Sequence, residues 1–242
     1  MARIDYGLDA PRIVQRFIWR GLLLLAFAAF VYFANRDTNP GAAAPLAAAL
    51  ALIGVIFTVI AGIMVLSSRV VKPKIIERIL HSIPWQGDEK VLDVGCGRGS
   101  FLIAAAKRLK TGKATGTDIW RAEDLSGNTA DAAMNNANAE GVASRIKIET
   151  ADARQLPFAA NSFDVVVSSL AIHNIPSRQE RGKAIQEMAR VLKPGGYLAV
   201  LDVLYTGEYA RAFEQLGFTH VRLSPMTFLW CVPTRSLTAR KT

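Results

Sequence analysis

Residues 42–68 carry no charged side chain, and this apolar stretch restricts the fold more than any other part of the sequence. A helix of that length can cross a bilayer even when it is tilted. Residues 17–34 form a second apolar stretch, interrupted only by Arg20, which is just long enough to span. Because only a short polar turn, residues 35–41, connects them, we expect an antiparallel transmembrane hairpin over residues 17–68.

The distribution of basic residues predicts the orientation of this hairpin. Both outer ends are rich in arginine and lysine, whereas the connecting turn contains one arginine, Arg36, beside Asp37. Positive side chains favour the cytoplasmic side, so both termini and the domain that follows are expected in the cytoplasm. The flanking basic residues are Arg3, Arg12, Arg16 and Arg20 before the hairpin, and Arg69, Lys72, Lys74 and Arg78 after it.

Two other interpretations of the apolar stretches remain open. The first stretch, with its arginines and the leucine run at residues 22–25, also resembles a cleavable signal peptide. The pair can also be a buried helical pair in a soluble protein, but the second stretch has no polar face, which favours the membrane. Within it, Gly54, Thr58 and Gly62 recur every four residues and offer a small-residue face for close helix packing.

The segment after the hairpin, residues 70–83, places apolar side chains at helical spacing among basic residues. This pattern predicts an amphipathic helix that packs on the edge of a domain, rests on anionic headgroups, or does both. The predicted organisation is therefore a cytoplasmic segment (residues 1–16), the hairpin, an amphipathic helix and linker (residues 69–88), and a globular domain (residues 89–242).

Charge and cysteine content restrict the function of this domain. The net charge of +9 comes with no basic run that has interleaved aromatic residues, so nucleic-acid binding is not expected. The two cysteines, Cys96 and Cys231, have no metal-ligand spacing and form no evident pair. We therefore expect no metal site, and a reduced domain that faces the cytoplasm.

From residue 89 onward, strand and helix patterns alternate, which is typical of a parallel sheet with helices on both faces. The prediction is an α/β, Rossmann-like, mostly parallel seven-stranded sheet preceded by two transmembrane helices. The predicted strands are residues 91–94, 114–118, 146–149, 163–168 and 197–203, with 220–223 and 228–232 as an antiparallel hairpin; the predicted helices are residues 100–109, about 129–140, 181–192 and 209–216.

A glycine-rich turn follows the first of these strands, with the pattern Asp93-x-Gly95-x-Gly97-x-Gly99. Glycine permits positive φ and allows a ligand to lie directly against the backbone. A nicotinamide-binding turn requires G-x-G-x-x-G, and counted from Gly95 the last position is Ser100. A hydride-transfer enzyme is therefore disfavoured.

Five sequence elements together resemble the class I S-adenosylmethionine-dependent methyltransferases, over residues 89 to about 232. The elements are the glycine turn, Asp118 at the end of strand two, Asp152 after strand three, Phe163-Asp164 at the start of strand four, and Leu192-Lys-Pro-Gly-Gly196 before strand five. None of them is specific alone, but their order and spacing together are.

The resemblance implies S-adenosylmethionine as the cofactor and assigns its contacts. It places Gly95, Gly97 and Gly99 at the methionine portion, Asp93 at its ammonium and Ser169 at the methionine end. Asp118 is placed at the ribose hydroxyls. The adenine is expected to contact Ile119 or Trp120 on its face, and Asp152 and the Ala153 amide at its edge. For catalysis, a base is needed only when the acceptor arrives protonated. His173 is the candidate base, although it can equally shape the pocket; Asn174, Asp202 and Tyr205 are weaker candidates for substrate contact.

The acceptor is predicted from what surrounds this domain. Residues 202–209 are too short to form much of a lid, whereas the hairpin and amphipathic helix occupy the N-terminal approach. We therefore expect a site whose mouth faces the bilayer and that takes a lipophilic small molecule or lipid as substrate. Two alternatives are methylation of a membrane-associated protein, and binding of the cofactor without turnover by a membrane-tethered protein.

Overall fold

A computed structural model describes residues 4–230 and 232–242, so the expectations for Arg3 and Cys231 concern residues outside those described. The chain begins with a helical hairpin, formed by α1 (Pro11–Asn35) and α2 (Pro40–Leu66). Pro40, which was expected to belong to the polar turn, is the first residue of α2. Proline is favoured at this position because the first amide of a helix has no intrahelical acceptor.

Both helices of the hairpin are long and apolar enough to cross a membrane. Only 17% of the residues in the most apolar part of each helix are buried, whereas a core helix of a soluble domain is mostly buried. The helices approach closely at Gly21, where an added Cβ would lie 2.5 Å from Thr58 Oγ1 and 3.0 Å from the Gly54 carbonyl oxygen. Gly54 and Thr58 of the predicted small-residue face therefore lie in the interface, whereas an added Cβ at Gly62 would have no atom of the described residues within 4 Å.

The second hairpin helix continues into the globular domain. A π-helical turn (Ser67–Val71) joins α2 to α3 (Lys72–Leu80) without a break. The predicted amphipathic helix is thus the extension of a hairpin helix, and its buried Ile76 and Leu80 belong to the apolar cluster on one face of the sheet. Domain packing, one of the two roles considered for this helix, is observed.

The globular domain is a sheet with helices on both faces, which confirms the predicted Rossmann-like class, but the sheet described has eight strands where seven were expected. The strand order is β3-β2-β1-β4-β5-β8-β6, with β7 paired to β8. The strands β1 to β5 pair in parallel, and β8 runs antiparallel to both β5 and β6. The strands are β1 (Lys90–Val94), β2 (Lys113–Asp118), β3 (Ile146–Thr150), β4 (Phe163–Ser169), β5 (Leu192–Asp202), β6 (Phe218–Leu223), β7 (Thr227–Leu229) and β8 (Val232–Lys241), and the helices are α4 (Ser100–Ala106), α5 (Ala130–Ala139), α6 (Arg178–Val191) and α7 (Thr206–Gln215).

The predicted C-terminal hairpin is wrong, because β6 pairs with β8 and the partner of residues 227–229 is also β8. The strand β8 contains Pro233 and several basic residues, and for this reason it was not predicted to be a strand. Its Leu237 and Ala239 are nevertheless buried, because β8 lies between β5 and β6. The strand β5 also begins earlier than expected, at Leu192, directly after α6.

A third apolar cluster joins the hairpin to the domain. Its buried members are Val14, Ala61 and Met64, and Trp230 packs against them. The backbone amide of Trp230 donates to Ser67 Oγ at 3.2 Å, and its indole donates to the hydroxyl of the next serine, Ser68, at 3.1 Å. The hairpin is therefore packed on the domain at its base rather than tethered by a flexible linker.

Candidate active site

The glycine turn connects β1 to α4 at the carboxyl edge of the parallel strands. The amides of Gly95 and Cys96 both donate to the carbonyl of Thr117 on β2, at 2.8 and 2.9 Å. Gly95 has φ of +73°, and a Cβ there would lie 2.2 Å from the Ala171 Cβ. A side chain at this position is therefore excluded both by backbone conformation and by the loop that follows β4.

A cavity with an empty volume of about 1060 Å³, which includes space open to solvent, lies against this turn. In open parallel sheets, ligands bind in the crevice beyond the carboxyl ends of the strands, where this cavity is found. Of the residues proposed to bind the cofactor, it is lined by Asp93, Gly95, Gly97, Asp118, Ile119, Asp152, Ala153 and Ser169.

Gly99 and the candidate base His173 lie outside this lining, as do Trp120, Asp202 and Tyr205, which were alternative or weaker candidates. Gly99 has φ of +86° and precedes the first residue of α4, so it shapes the end of the turn. His173 belongs to a short helical turn after β4, and the residues on both sides of it, Ile172 and Asn174, do line the cavity. The roles of both residues remain predictions.

Asp93 is buried at the end of β1, with 1% of its surface exposed. Within the part of the chain that is described, neither carboxylate oxygen has a hydrogen-bond partner. Burial raises the pKa of this carboxyl to about 8, and the negative charge of Asp118 adds to the increase. A buried acid without a partner is rare and calls for a ligand that supplies positive charge and donors.

Asp118, at the end of β2, is held by three donors. One oxygen accepts from the Gly97 amide at 2.8 Å, and the other accepts from the Trp120 amide at 2.6 Å and from Asn128 Nδ2 at 3.2 Å. The carboxylate therefore fixes the middle of the glycine turn and retains lone pairs that can accept from a ligand.

Asp152 follows β3 and forms a bidentate ion pair with Arg154, whose nitrogens lie 2.5 to 3.0 Å from the carboxylate oxygens. Arg154 holds the pKa of Asp152 below its usual range, and it also donates to Glu180 at 2.9 Å. Sequence reasoning did not assign Arg154 to the site, but it lines the cavity. Its position two residues after Asp152 was the available signal.

His173 lies against the buried carboxylate of Asp202, with 2.6 Å between Nδ1 and Oδ1. Among the described residues, Nδ1 makes no hydrogen bond of good geometry, whereas the His173 amide donates to Oδ2 at 3.1 Å. Burial opposes protonation, but the Asp202 carboxylate outweighs it and raises the pKa of the imidazole. Two more distant carboxylates, Asp124 and Asp9, act in the same direction.

One wall of the cavity comes from residues 4–10, here called the covering segment. It forms a single antiparallel bridge from Asp9 to Leu125, and its Asp5 exchanges two hydrogen bonds with Asn136. Two residues of this segment, Tyr6 and Asp9, line the cavity. Sequence reasoning missed them because the contact with Asn136 joins residues 131 positions apart, and no local pattern records such a pairing.

Comparisons with known proteins agree with this architecture. Residues 92–200 match the methyltransferase domain family. The methyltransferase GfsG of Streptomyces halstedii is 34% identical over 131 residues, which are 54% of this chain and 44% of that protein. The demethylmenaquinone methyltransferase of Staphylococcus aureus is 35% identical over 127 residues, 52% of this chain and 48% of that protein. The chain thus spans about half the length of these curated relatives.

Solved structures show the same fold at low sequence identity. A SAM-dependent methyltransferase from Aquifex aeolicus has a TM-score of 0.54 at 20% identity, over 69% of this chain and 89% of that one. The geranyl diphosphate C-methyltransferase from Streptomyces coelicolor A3(2) has a TM-score of 0.55 at 13% identity, over 71% and 79%. That structure was solved in complex with Mg²⁺, geranyl diphosphate and S-adenosyl-L-homocysteine.

Proposed function

We propose that the chain, whose residues 92–200 match the methyltransferase domain family, is a class I S-adenosylmethionine-dependent methyltransferase that transfers a methyl group to a small lipophilic acceptor at a membrane surface. One observation carries this proposal: a single cavity has two kinds of wall. The glycine turn and Asp93 form one wall, and Asp9 and Lys72, at the base of the apolar hairpin, form the other. The proposed cofactor site and the base of the apolar hairpin therefore share one space.

The cofactor fits the first wall. Asp93 and Ser169 have buried oxygens without hydrogen-bond partners among the described residues. The ammonium of a methionine moiety would donate to the Asp93 carboxylate, and its carboxylate would accept from the Ser169 hydroxyl. We assign Asp93, Gly95, Gly97 and Ser169 to the methionine portion, Asp118 to the ribose, Ile119, Asp152 and Ala153 to the adenine, and Gly99 to the conformation of the turn.

When bound, S-adenosylmethionine supplies a methyl group that its sulfonium already activates. The chain must then hold the acceptor in line, exclude water, and remove a proton if the acceptor is protonated. We propose His173 as the base: Asp202 lies beside Nδ1, which leaves Nε2 for the acceptor. The neighbours of His173, Ile172 and Asn174, line the cavity, so the short helical turn that contains His173 borders it.

The membrane arrangement follows from the hairpin and its flanking charge. We propose that residues 17–68 lie in the bilayer and that both termini and the α/β domain are cytoplasmic, because basic residues flank both outer ends of the hairpin. The largely exposed apolar surface of α1 and α2 supports this placement, because water is a poor solvent for so much apolar area. The contacts of Trp230 with Ser67 and Ser68 would hold the cavity close to the membrane.

A small acceptor is favoured over a protein acceptor. Two similar proteins are named for demethylmenaquinone and geranyl diphosphate, both small molecules. In addition, the covering segment closes one side of the cavity through its pairing with residues 124–126, whereas a protein substrate requires an open groove.

The test is methyl transfer into a membrane extract by the full-length protein in lipid nanodiscs, with the transferred methyl group radiolabelled. We expect label in the lipid fraction. Label in the protein fraction would indicate a protein methyltransferase, and cofactor binding without any transfer would indicate a non-catalytic protein. Equal methylation of water-soluble small molecules would contradict a lipophilic acceptor.

A pair of glycine variants provides the control. Gly95→Ala introduces a Cβ within 2.2 Å of Ala171 and should abolish both cofactor binding and transfer. Gly182→Ala, whose added Cβ would meet no atom within 4 Å in the described part of the chain, should leave both unchanged.

A further inference from the structure

A buried ion pair lines the cavity but has no part in the proposed cofactor site. Lys72 Nζ lies 2.7 Å from Asp9 Oδ1 and 2.8 Å from Oδ2. The two side chains are only 6% and 8% exposed, and both line the cavity.

The pair marks the hairpin end of the cavity. Lys72 begins α3, which continues α2 through the π-helical turn, and Asp9 lies two positions before the first residue of α1. The Asp9 amide donates to Ser68 Oγ, the same hydroxyl that accepts from the Trp230 indole. An acceptor that reaches the cavity from the side of the apolar helices would therefore meet this pair with its polar end.

Stability does not explain why the pair is present. A buried ion pair usually contributes no more to folding than well-packed apolar side chains of the same volume, because both charges must be desolvated. At the wall of a cavity, however, the pair offers a donor, the ammonium, beside an acceptor, the carboxylate. A hydroxyl group matches both, since it accepts from one and donates to the other.

The charge of the cavity selects among polar head groups. Among the described residues, its lining contains four basic side chains and five carboxylates, and Lys72 is neutralised by Asp9. A diphosphate needs positive charge beyond what the carboxylates of the lining neutralise, from free basic side chains or from a bound metal ion, whereas an uncharged hydroxyl needs neither.

We propose that Asp9 and Lys72 form the head-group subsite of the methyl acceptor, and that this acceptor is a lipophilic molecule whose polar end carries a hydroxyl group. Lys72 donates to the hydroxyl oxygen and Asp9 accepts its hydrogen. The inference rests on the proposed function, because it names the polar group of the acceptor that the methyltransferase site would bind.

The first experiment changes the ligand and leaves the protein intact. The probe is a geranyl-substituted naphthoquinol, kept reduced under anaerobic conditions and added to the full-length protein in nanodiscs, with binding followed by tryptophan quenching. Its dimethyl ether lacks both hydroxyl hydrogens. We expect the ether to bind about 10- to 100-fold more weakly, the effect of losing hydrogen bonds to charged partners. Equal binding of quinol and ether would overturn the inference.

The second experiment removes both charges together. In the Asp9→Leu, Lys72→Met double variant no charge is left unpaired, so we expect cofactor affinity within about twofold of the wild type. The KM for the quinol should rise at least tenfold, and the preference for quinol over ether should disappear. The control is the Glu77→Leu, Arg108→Met variant, which removes a more exposed ion pair between α3 and the segment that follows α4, with 2.7 Å between its charged atoms and outside the cavity lining.

The outcomes separate this inference from the proposed function. If the wild type methylates the quinol and the Asp9, Lys72 double variant does so with the same KM, only the head-group subsite is refuted. If the wild type methylates geranyl diphosphate or another lipid without a hydroxyl, and ignores the quinol, the subsite is again refuted while the methyltransferase function stands. If no small acceptor of any kind is methylated, the proposed function fails and the subsite fails with it.

Discussion

Single residues of the cavity have ionisation properties that link cofactor binding to pH. Burial places the pKa of Asp93 at about 8, above its ordinary value of 3.8. The folded protein therefore binds a proton that the unfolded chain has lost, and its stability decreases as the pH rises from about 4 to about 8. A cationic ligand beside Asp93 should reverse this penalty by favouring the carboxylate.

The Asp93→Asn variant should therefore be more stable than the wild type without added cofactor, by up to roughly 5 kcal/mol at pH 8 and by almost nothing at pH 4. It should also bind S-adenosylmethionine about 10- to 100-fold more weakly, through loss of a charge-assisted contact. Thermal unfolding between about pH 4 and about pH 8 measures the stability difference. Equilibrium binding at about pH 7.5, which lies within this range, measures the change in cofactor affinity. A stability difference independent of pH would contradict the raised pKa.

The proposed base His173 makes a different prediction, because only its neutral form accepts a proton. Since Asp202 raises the pKa of the imidazole above 6.5, kcat/KM should increase with pH through a value higher than 6.5 in the wild type. In Asp202→Asn this limb should move to lower pH, because burial then dominates. The measurement is the pH profile of kcat/KM for the methylated acceptor.

The His173→Gln variant should lower kcat by about 10²- to 10⁴-fold, as expected for loss of a general base. Cofactor affinity serves as its control and should not change, because the proposed cofactor contacts do not include His173. Full activity of this variant would leave the histidine with a structural role only.

At the scale of elements, the close approach of α1 and α2 depends on particular glycines. In Gly54→Ala the added Cβ would lie 2.9 Å from Leu25 Cγ and 3.0 Å from the Gly21 carbonyl oxygen, so the helices must separate, at a cost of about 1–3 kcal/mol. Gly62→Ala is the matched control, since it gains helix propensity and meets no neighbour. Thermal unfolding in detergent should show a lower midpoint for the first variant only; equal midpoints would contradict this interface.

At the scale of the whole molecule, the proposed topology places the turn between α1 and α2 on the opposite side of the membrane from the carboxyl terminus. In a background where Cys96 and Cys231 are replaced by serine, a membrane-impermeant maleimide should label Asp37→Cys from outside intact spheroplasts. It should label Thr242→Cys only after permeabilisation. Val59→Cys, in the middle of α2, is the control and should react from neither side.

Labelling of both the turn and the terminus from one side would show that the hairpin does not span the membrane. Labelling of the carboxyl terminus from outside would instead favour export of the domain, as the signal-peptide interpretation requires.

The features that were predictable from the sequence are local ones. The glycine turn, the carboxylates that end β1 and β2, and the alternation of strands with helices are each encoded within a few neighbouring residues. Backbone conformation and hydrophobic period act over that distance. The strand β8 was missed because its charged residues suggest an exposed segment, although its Leu237 and Ala239 are buried. These two residues are buried because β8 lies between two other strands.

The sequence by itself determined the glycine-rich turn, the Rossmann-like order of elements and the two long apolar helices, because these depend on steric and hydropathic properties of adjacent residues. Only the tertiary structure decided that Asp9 and Lys72, 63 positions apart, complete the same cavity as Asp93. The reason is geometric: the crossing of α1 and α2 and the unbroken passage from α2 into α3 place both residues at the base of the hairpin, and no local pattern encodes that meeting.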